Sequence, residues 1–503
     1  MAVWIILSGW FAIAHCGAET MTAEQVYQQV MKNSHLQVEG QVTGEGFCWH
    51  AAYSADDFVT GYIAYKDTAW LDCAVRYFDW LVSLMATAPD GYKGWIGPFI
   101  YDKKVWCDVH VGDAILVNPM LRFAELVLTE DALKARYGTA ALSYVALAKK
   151  HLIEKWDARG TWHEDGPYGS YASWNRYFLP GDLSAWRDIE IDKSTLSLPF
   201  NKQFDMGIGS LRLYRITGER EYRDRAVRIF GLMKSRIRLV DAHAVWNYWE
   251  PMGVWDLKGS ELRHWVNVHP YRNYQAGEVA HIVEAYHSGI VFDQADMERM
   301  VRTNLAVMWN GDAEYPKWRN SDARGPWEAP PPPPDGQSGR AGTLWSALRA
   351  FDPTIRMVYA KQLKPETLAY DHFHNVKKQK PIGFDREHAS PEDLDLFEAM
   401  GTPCEDLTMV AVLPAVFRPT ESVTLVSKAA VGGPFEIAVY AENGNRVVGL
   451  YDNAMTGSSD GIKGIFTMSW DGTNAFGKPV RAGRYTVRWT LNGAYREVPV
   501  WFE

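Results

Sequence analysis

The stretch from Leu196 to Met233, LSLPFNKQFDMGIGSLRLYRITGEREYRDRAVRIFGLM, decides how the rest of the chain is read. In its first half Phe204, Ile208, Leu211 and Tyr214 recur at three and four residues, one apolar face of a helix. Thr217-Gly218 ends that helix, because glycine accepts the left-handed conformation that a helix terminus often needs. The second half sets Tyr222, Ala226, Ile229, Phe230 and Met233 on one side of a second helix. The same pair occurs earlier, over Gly61 to Leu81 (GYIAYKDTAWLDCAVRYFDWL), where Tyr65 stands three residues before Thr68. Its second helix carries Asp72-x-Ala74-Val75-Arg76-x-Phe78, against Asp224-x-Ala226-Val227-Arg228-x-Phe230. A repeated helical hairpin cannot bury its apolar face alone, so the repeat implies an array. In the later copy Asn201, Lys202, Gln203 and Asp205 crowd the start of the first helix, followed by Gly207 and Gly209. Helix starts present unpaired N–H groups that favour anions, although the same residues also suit capping and close helix contact.

Working outward, 503 residues leave room for two domains. The formal charge of −9 argues against a nucleic-acid binder, whose footprint is basic. The 22 tryptophans and 25 tyrosines suit either a large core or sugar-binding surfaces. Met1 to Ala18 is apolar and ends in small residues, which reads as a signal peptide with cleavage after Ala18, although its start lacks Lys and Arg. The expected setting is therefore secreted or periplasmic, in a bacterium, with no membrane span, since the apolar run is too short for one. Cys16 raises a lipoprotein anchor, but Ala14-His15 fits a lipobox poorly. Cys48, Cys73, Cys107 and Cys404 are scattered without a CxxC pair; Cys73 reads as core, and a disulfide between two of the others stays open.

Helical patterns run over 53–65, 70–85, 114–128, 131–152, 275–289, 294–309, 342–363 and 391–400. Two aromatic-rich stretches interrupt them, 161–186 and 244–274, read as long functional loops. Pro330 to Pro334 excludes helix. Beyond about Asp406 the period changes to two, in runs such as SVTLVSKA and RYTVRWTLNG. The expected fold is thus mainly α: an α/α toroid, an incomplete barrel of helical hairpins, over 19–403, then a small β-sandwich over 404–503. Trp470-Asp471-Gly472-Thr473-Asn474, with Gly477-Lys478-Pro479-Val480 and Ala482-Gly483-Arg484-Tyr485, resembles the Ig-like domain of flagellar hook-capping proteins. That resemblance implies an accessory role without chemistry, so truncation after about Pro403 is expected to leave catalysis intact.

Loops at one end of a toroid form a cleft. The expected cluster there is Asn201 and Gln203, then His264, His269, Tyr271, Arg272 and Tyr274, then Trp309, Asn310, Tyr315 and Arg319. No HExxH, CxxC, GxSxG, P-loop or dinucleotide fingerprint appears, so chemistry without metal or cofactor is expected. The order Leu-Pro-Phe-Asn201, Tyr214-x-x-Thr217-Gly218, Val245-Trp246-Asn247-Tyr248-Trp249, His269-Pro270 and Trp309-Asn310-Gly311 resembles secreted α/α-toroid proteins related to polysaccharide lyase family 38. Members of that family cleave uronic-acid polymers such as alginate and glucuronan, using an asparagine, a histidine, an arginine and a tyrosine. The resemblance implies an acidic polysaccharide substrate and assigns catalysis to Asn201, His269 and Arg319. The family's tyrosine follows its arginine, but here Arg319 leads into Asn320-Ser321-Asp322, so Tyr274 is the substitute expected, with Tyr271 next. Gln203, Trp246, Tyr248, Trp249, Tyr271, Arg272, Trp309 and Asn310 are the expected substrate contacts.

β-Elimination accounts for such a set. The C5 proton beside a uronate carboxylate is weakly acidic until hydrogen bonds neutralise that carboxylate, here from Asn201, Gln203 or Arg319. A base then removes the proton and an acid protonates O4 of the leaving sugar, and tyrosine can do both. A glycoside hydrolase is the alternative and needs two carboxylates; Glu164 and Asp165, with Asp205 or Glu250 opposite, are its candidates. A uronate epimerase would use much the same cluster as a lyase. A non-catalytic glycan-binding protein is the third class; its binding would survive loss of Asn201, His269 and Tyr274.

Overall fold

The computed structural model describes residues 22–36, 43–100, 102–188, 196–259, 261–263, 272–323, 327, 342–362, 397, 406–453 and 463–503. The expected leader, His264, His269, Tyr271, the side chain of Arg272 and the helix expected over 391–400 (Phe397 apart) lie outside these residues.

The helices in chain order are α1 (Ala23–Leu36), α2 (Gly44–Ala55), α3 (Asp57–Tyr65), α4 (Ala69–Ser83), α5 (His110–Thr129) and α6 (Asp131–Ala148). A π turn over Lys149–Glu154 carries α6 into α7 (Lys155–Ala158). Then come α8 (Phe200–Thr217), α9 (Arg220–Arg236), α10 (Arg272–His287), α11 (Gln294–Arg302) and α12 (Pro353–Gln362).

The quoted stretch forms the hairpin α8–α9. Phe204, Ile208 and Leu211 are fully buried, and Gly218, at φ 76°, bonds its N–H to the Tyr214 carbonyl at 2.7 Å. The earlier copy is α3–α4, where Lys66 takes the left-handed position at φ 57° and bonds back to Tyr62, also at 2.7 Å. The counterpart of Tyr214 is therefore Tyr62, not Tyr65. Ala74 and Phe78 in α4, like Ala226 and Phe230 in α9, are fully buried.

Helices α2, α5, α8 and α10 pack side by side in chain order as an inner layer, with α4, α6 and α9 returning outside them. Helix α5 is buried along nearly all its length, as an inner helix must be, and its polar side chains Asp113, Asn118, Arg122 and Glu125 are buried with it. The described helices thus form an arc of α/α hairpins. No helix among the described residues is long and apolar enough to cross a membrane.

Three details differ from the sequence reading. The helix expected over 53–65 breaks at Asp56 into α2 and α3, and that expected over 342–363 is a 3-10 turn, Ser346–Ala350, followed by α12. The stretch 161–186 is not an irregular loop. It folds as two antiparallel hairpins, Trp162–Asp165 with Tyr168–Tyr171 and Arg176–Leu179 with Asp182–Asp188. The hairpins turn at Gly166 and Gly181, both at positive φ. The described cysteines Cys48, Cys73 and Cys107 are buried thiols with no disulfide among them.

The carboxyl ends of the inner helices are locked by buried ion pairs. Arg212 of α8 chelates Glu284 of α10, with both bonds at 2.9 Å. Arg215 bridges Glu125 of α5 (2.7 and 3.0 Å), Glu284 (2.9 Å) and the Ser288 hydroxyl (3.0 Å). Burial alone would raise the Glu284 carboxyl, but Arg212 and Arg215 hold it well below the usual carboxylate range.

The C-terminal strands are β1 (Leu407–Leu413), β2 (Val416–Phe417), β3 (Val423–Ala429), β4 (Phe435–Ala441), β5 (Arg446–Asp452), β6 (Gly464–Trp470), β7 (Gly483–Leu491) and β8 (Ala494–Phe502). They make a three-stranded sheet, β1-β3-β6, and a five-stranded one, β2-β8-β7-β4-β5, sharing a core around Leu425, Ile437, Trp470, Val487 and Trp489. The other face of the smaller sheet, Met409, Ala411, Leu413 and Val426, packs on Leu257 and Leu262 of the helical part. Asp165 accepts the N–H groups of Ala415 (2.8 and 2.7 Å) and Val416 (3.1 Å), and Asn247 donates to the Thr408 carbonyl at 3.1 Å. The sandwich is thus docked on the helical part through apolar and polar contacts.

Candidate active site at the amino ends of the inner helices

Pro199 precedes α8 with extended backbone and begins it cleanly, since proline lacks the N–H that a first turn leaves unbonded. The Phe200 N–H bonds the Tyr248 carbonyl at 3.1 Å, tying α8 to the loop after Val245. Asn201 follows, 8% exposed. Its carboxamide makes no hydrogen bond to any described residue, and the amide oxygen is fully buried. Because a half-turn exchanges amide O and N, this group can offer a ligand either a donor or an acceptor.

One turn on, Asp205 shares the Asn201 face. Its carbonyl accepts from Asn118 of α5 at 2.9 Å, and its carboxyl lies 3.8 Å from His281 Nε2 of α10. On α10, Tyr274, Glu278 and His281 are spaced to share one face. Glu278 accepts from Trp246 Nε1 at 2.7 Å, while its second oxygen is buried without a partner among the described residues. Tyr274, at the amino end of α10, stacks on Tyr248 with ring centroids 5.1 Å apart. Gly277 lies one turn before His281 on α10, and an added Cβ there would meet nothing within 4 Å.

The two acids here have no nearby counter-ion to match their burial. Burial pushes the Asp205 carboxyl up to about 8, against the opposing influence of Lys202 and Arg212. Burial likewise raises Glu278 to about 8, against the hydrogen bond from Trp246. Burial thus shifts both acids toward their protonated form.

A second part of this end lies across the first turn of α8. Lys202 Nζ bonds Glu45 Oε1 of α2 at 2.8 Å. Gly44 and Gly97 bring Glu45 there: a Cβ on either would strike the other segment's backbone at 2.8 Å or less, and Gly44 also has φ +85°. A cleft with about 620 Å³ of empty space, partly open to solvent, runs between Glu45, Lys202 and the aromatic rings of Phe99, Trp174, Tyr177 and Trp249.

A scan against models of protein families matches none of them, and no curated protein matches the sequence. Among solved structures, the chain is similar to the cellobiose 2-epimerase of Spirochaeta thermophila, at 14% identity over 70% of this chain and 84% of that one, with a TM-score of 0.37. A GH76 α-mannanase from Bacteroides thetaiotaomicron matches at 12% identity over 71% and 84%, with a TM-score of 0.35. The cellobiose 2-epimerase of Bacillus thermoamylovorans matches at 11% over 64% and 73%, with a TM-score of 0.29. Overlaps this loose leave both architecture and chemistry to be read from this chain's own residues.

Of the residues expected to form the site, Asn201, Tyr248, Trp249 and Tyr274 lie at this end. Gln203 does not present its amide to a ligand. The amide closes on the Tyr171 backbone (N–H to Oε1 and Nε2 to carbonyl, both 2.8 Å) and on the Leu198 carbonyl at 3.1 Å. Trp246 is fully buried against Trp345, with its N–H on Glu278, and serves as core. Arg319 does not converge on Asn201. It donates to the Val307 carbonyl at 2.7 Å, lies over Trp327 at 4.1 Å and lines a different groove with Arg238, His243, Asp406 and Thr408. Asn310 and Trp309 brace the turn that follows α11, through the Tyr315 and Asp312 carbonyls. His269, Tyr271 and the Arg272 side chain lie outside the described residues.

The carboxylates weighed for hydrolysis are also placed. Asp165 holds the sandwich, Glu164 is exposed beside Arg228, and Glu250 is buried against Asn247. Sequence reasoning missed Glu278, His281 and Glu45, and weighed Asp205 only as a hydrolytic acid. The spacing Tyr274-x3-Glu278-x2-His281 was the available signal for the α10 face.

Proposed function

We propose that this chain is a carbohydrate-active enzyme, a polysaccharide lyase that cleaves a uronic-acid-containing polymer by β-elimination at the amino ends of α8 and α10. The observation that carries the reading is the unpartnered Asn201 carboxamide, one turn from Asp205 on α8. Burial favours the protonated form of Asp205 and Glu278, the form that would not repel an approaching uronate carboxylate. That carboxylate accepts hydrogen bonds from the Asn201 amide and from protonated Asp205, which stabilises the charge that builds as C5 loses its proton. Tyr274, partly exposed at the rim, acts as the phenolate: it takes the C5 proton, the C5 electron pair forms the C4=C5 bond as C4–O4 breaks, and the phenol returns that proton to O4 of the leaving sugar. An alginate- or glucuronan-type substrate and a secreted setting accompany this proposal, with the docked sandwich in an accessory role.

The test is to incubate the protein with alginate, glucuronan and related uronic-acid polymers and follow ultraviolet absorbance of the unsaturated product. Asn201→Ala and Tyr274→Phe should each lower turnover by at least a hundredfold with unchanged circular dichroism. New reducing ends without the unsaturated product, lost in Asp205→Asn, would replace elimination by hydrolysis.

A further inference from the structure

The cleft beyond Lys202 holds two buried polar atoms that no described residue satisfies. Glu45, 1% exposed, uses Oε1 for Lys202 but leaves Oε2 without a partner, and Trp249, 6% exposed, leaves its indole N–H without one. Both residues line the same cleft. A buried orphan acceptor and a buried orphan donor are each costly unless a ligand or water completes them. Their pairing constrains the ligand's chemistry. A carboxylate offers only acceptors and leaves Glu45 Oε2 unmet, whereas an ammonium offers only donors and leaves Trp249 unmet. A hydroxyl-bearing ring supplies both, and its C–H face suits the walls made by Phe99, Trp174 and Tyr177.

We infer that this cleft is a subsite for a neutral sugar ring, with Glu45 accepting a ligand hydroxyl and Trp249 donating to a ligand oxygen. The inference rests on the carbohydrate reading above but not on β-elimination. A substrate occupying both places would be a mixed polymer, with a uronate at Asn201 and a neutral sugar beyond Lys202.

Equilibrium binding tests it without turnover. Methyl glucoside, methyl mannoside, methyl galactoside and glucuronate are titrated into the full chain by calorimetry, with saturation-transfer NMR to report ring contacts. At least one neutral glycoside should bind saturably and more tightly than glucuronate. Trp249→Phe keeps an aromatic ring but removes the donor N–H together with the pyrrole half of the indole, and should weaken that glycoside at least tenfold. Glu45→Gln removes the negative charge beside Lys202 and should shift preference toward glucuronate at least tenfold. If Glu45→Gln fails to fold, Trp249→Phe decides alone. No binding by any of the three neutral glycosides, or a Trp249→Phe protein that binds them like the parent, overturns the inference. Because these ligands have no glycosidic bond to a second sugar, a failed lyase assay leaves this result standing, and the reverse also holds.

Discussion

The two ends of the inner helices bury acids to a similar degree and treat them in opposite ways. At the carboxyl end Glu284 sits between Arg212 and Arg215 and stays ionised. At the amino end Asp205 and Glu278 are just as enclosed, yet the nearest described groups are a histidine 3.8 Å away and an indole N–H. Burial costs the ionised form in both places, and only a desolvated guanidinium repays enough to reverse the outcome. The carboxyl end is therefore a closed structural clamp. The amino end holds two acids shifted toward the protonated form, an unbonded carboxamide and an open cleft, none of which adds stability by itself.

The sharpest way to break this contrast is to remove the clamp. Arg215→Ala leaves Glu125 with uncompensated buried charge and Glu284 with Arg212 alone, and should lower unfolding stability by about 3–5 kcal/mol in urea titration. A loss below about 1 kcal/mol would mean these pairs resemble exposed ones and that the two ends do not differ as argued.

The amino end should respond to pH. Glu278 moves from an ordinary 4.5 to about 8 on folding, so the native state holds a proton that the unfolded chain releases. Stability is then full below about pH 4.5 and declines as pH rises through 8. Glu278→Gln keeps an acceptor for Trp246 and removes this decline. The variant should be more stable than the parent by on the order of 4 kcal/mol at pH 8 and nearly equal at pH 4, by thermal or urea unfolding. Parallel pH–stability curves for the two proteins would show that Glu278 is ionised in the folded protein.

The smallest effect separates the two hairpin copies at the clamp end. Lys66 holds the left-handed position that Gly218 fills in the later copy. Lys66→Gly should stabilise the protein by about 0.5–1 kcal/mol, because the cap conformation costs a residue with a Cβ about that much. Its partner Glu130 is 4.0 Å away and both side chains are exposed, so losing the charge should matter little. A destabilised variant would mean that the ion pair, not the backbone, governs that turn.

The sequence by itself determined what depends on local periodicity. The apolar faces of α8 and α9, the stop at Gly218, the recurrence of Asp-x-Ala-Val-Arg-x-Phe and the change of period near Asp406 are all present in the folded chain. Each follows from residues within a few turns of one another, where the burial pattern is written directly along the chain. Asn201 was legible for the same reason, as a polar residue at a helix start. Tertiary structure alone decided the rest. That Gln203 clamps Tyr171, that Trp246 belongs to the core and that Arg319 faces another groove depends on neighbours far apart in sequence. The same holds for the acids. Glu284 and Glu278 lie six residues apart on one helix, and nothing local marks one as ionised and the other as protonated. The difference is the presence of Arg212 and Arg215, brought from α8 to one end of α10 and not to the other, because charge in a dry interior is set by the partners that folding supplies.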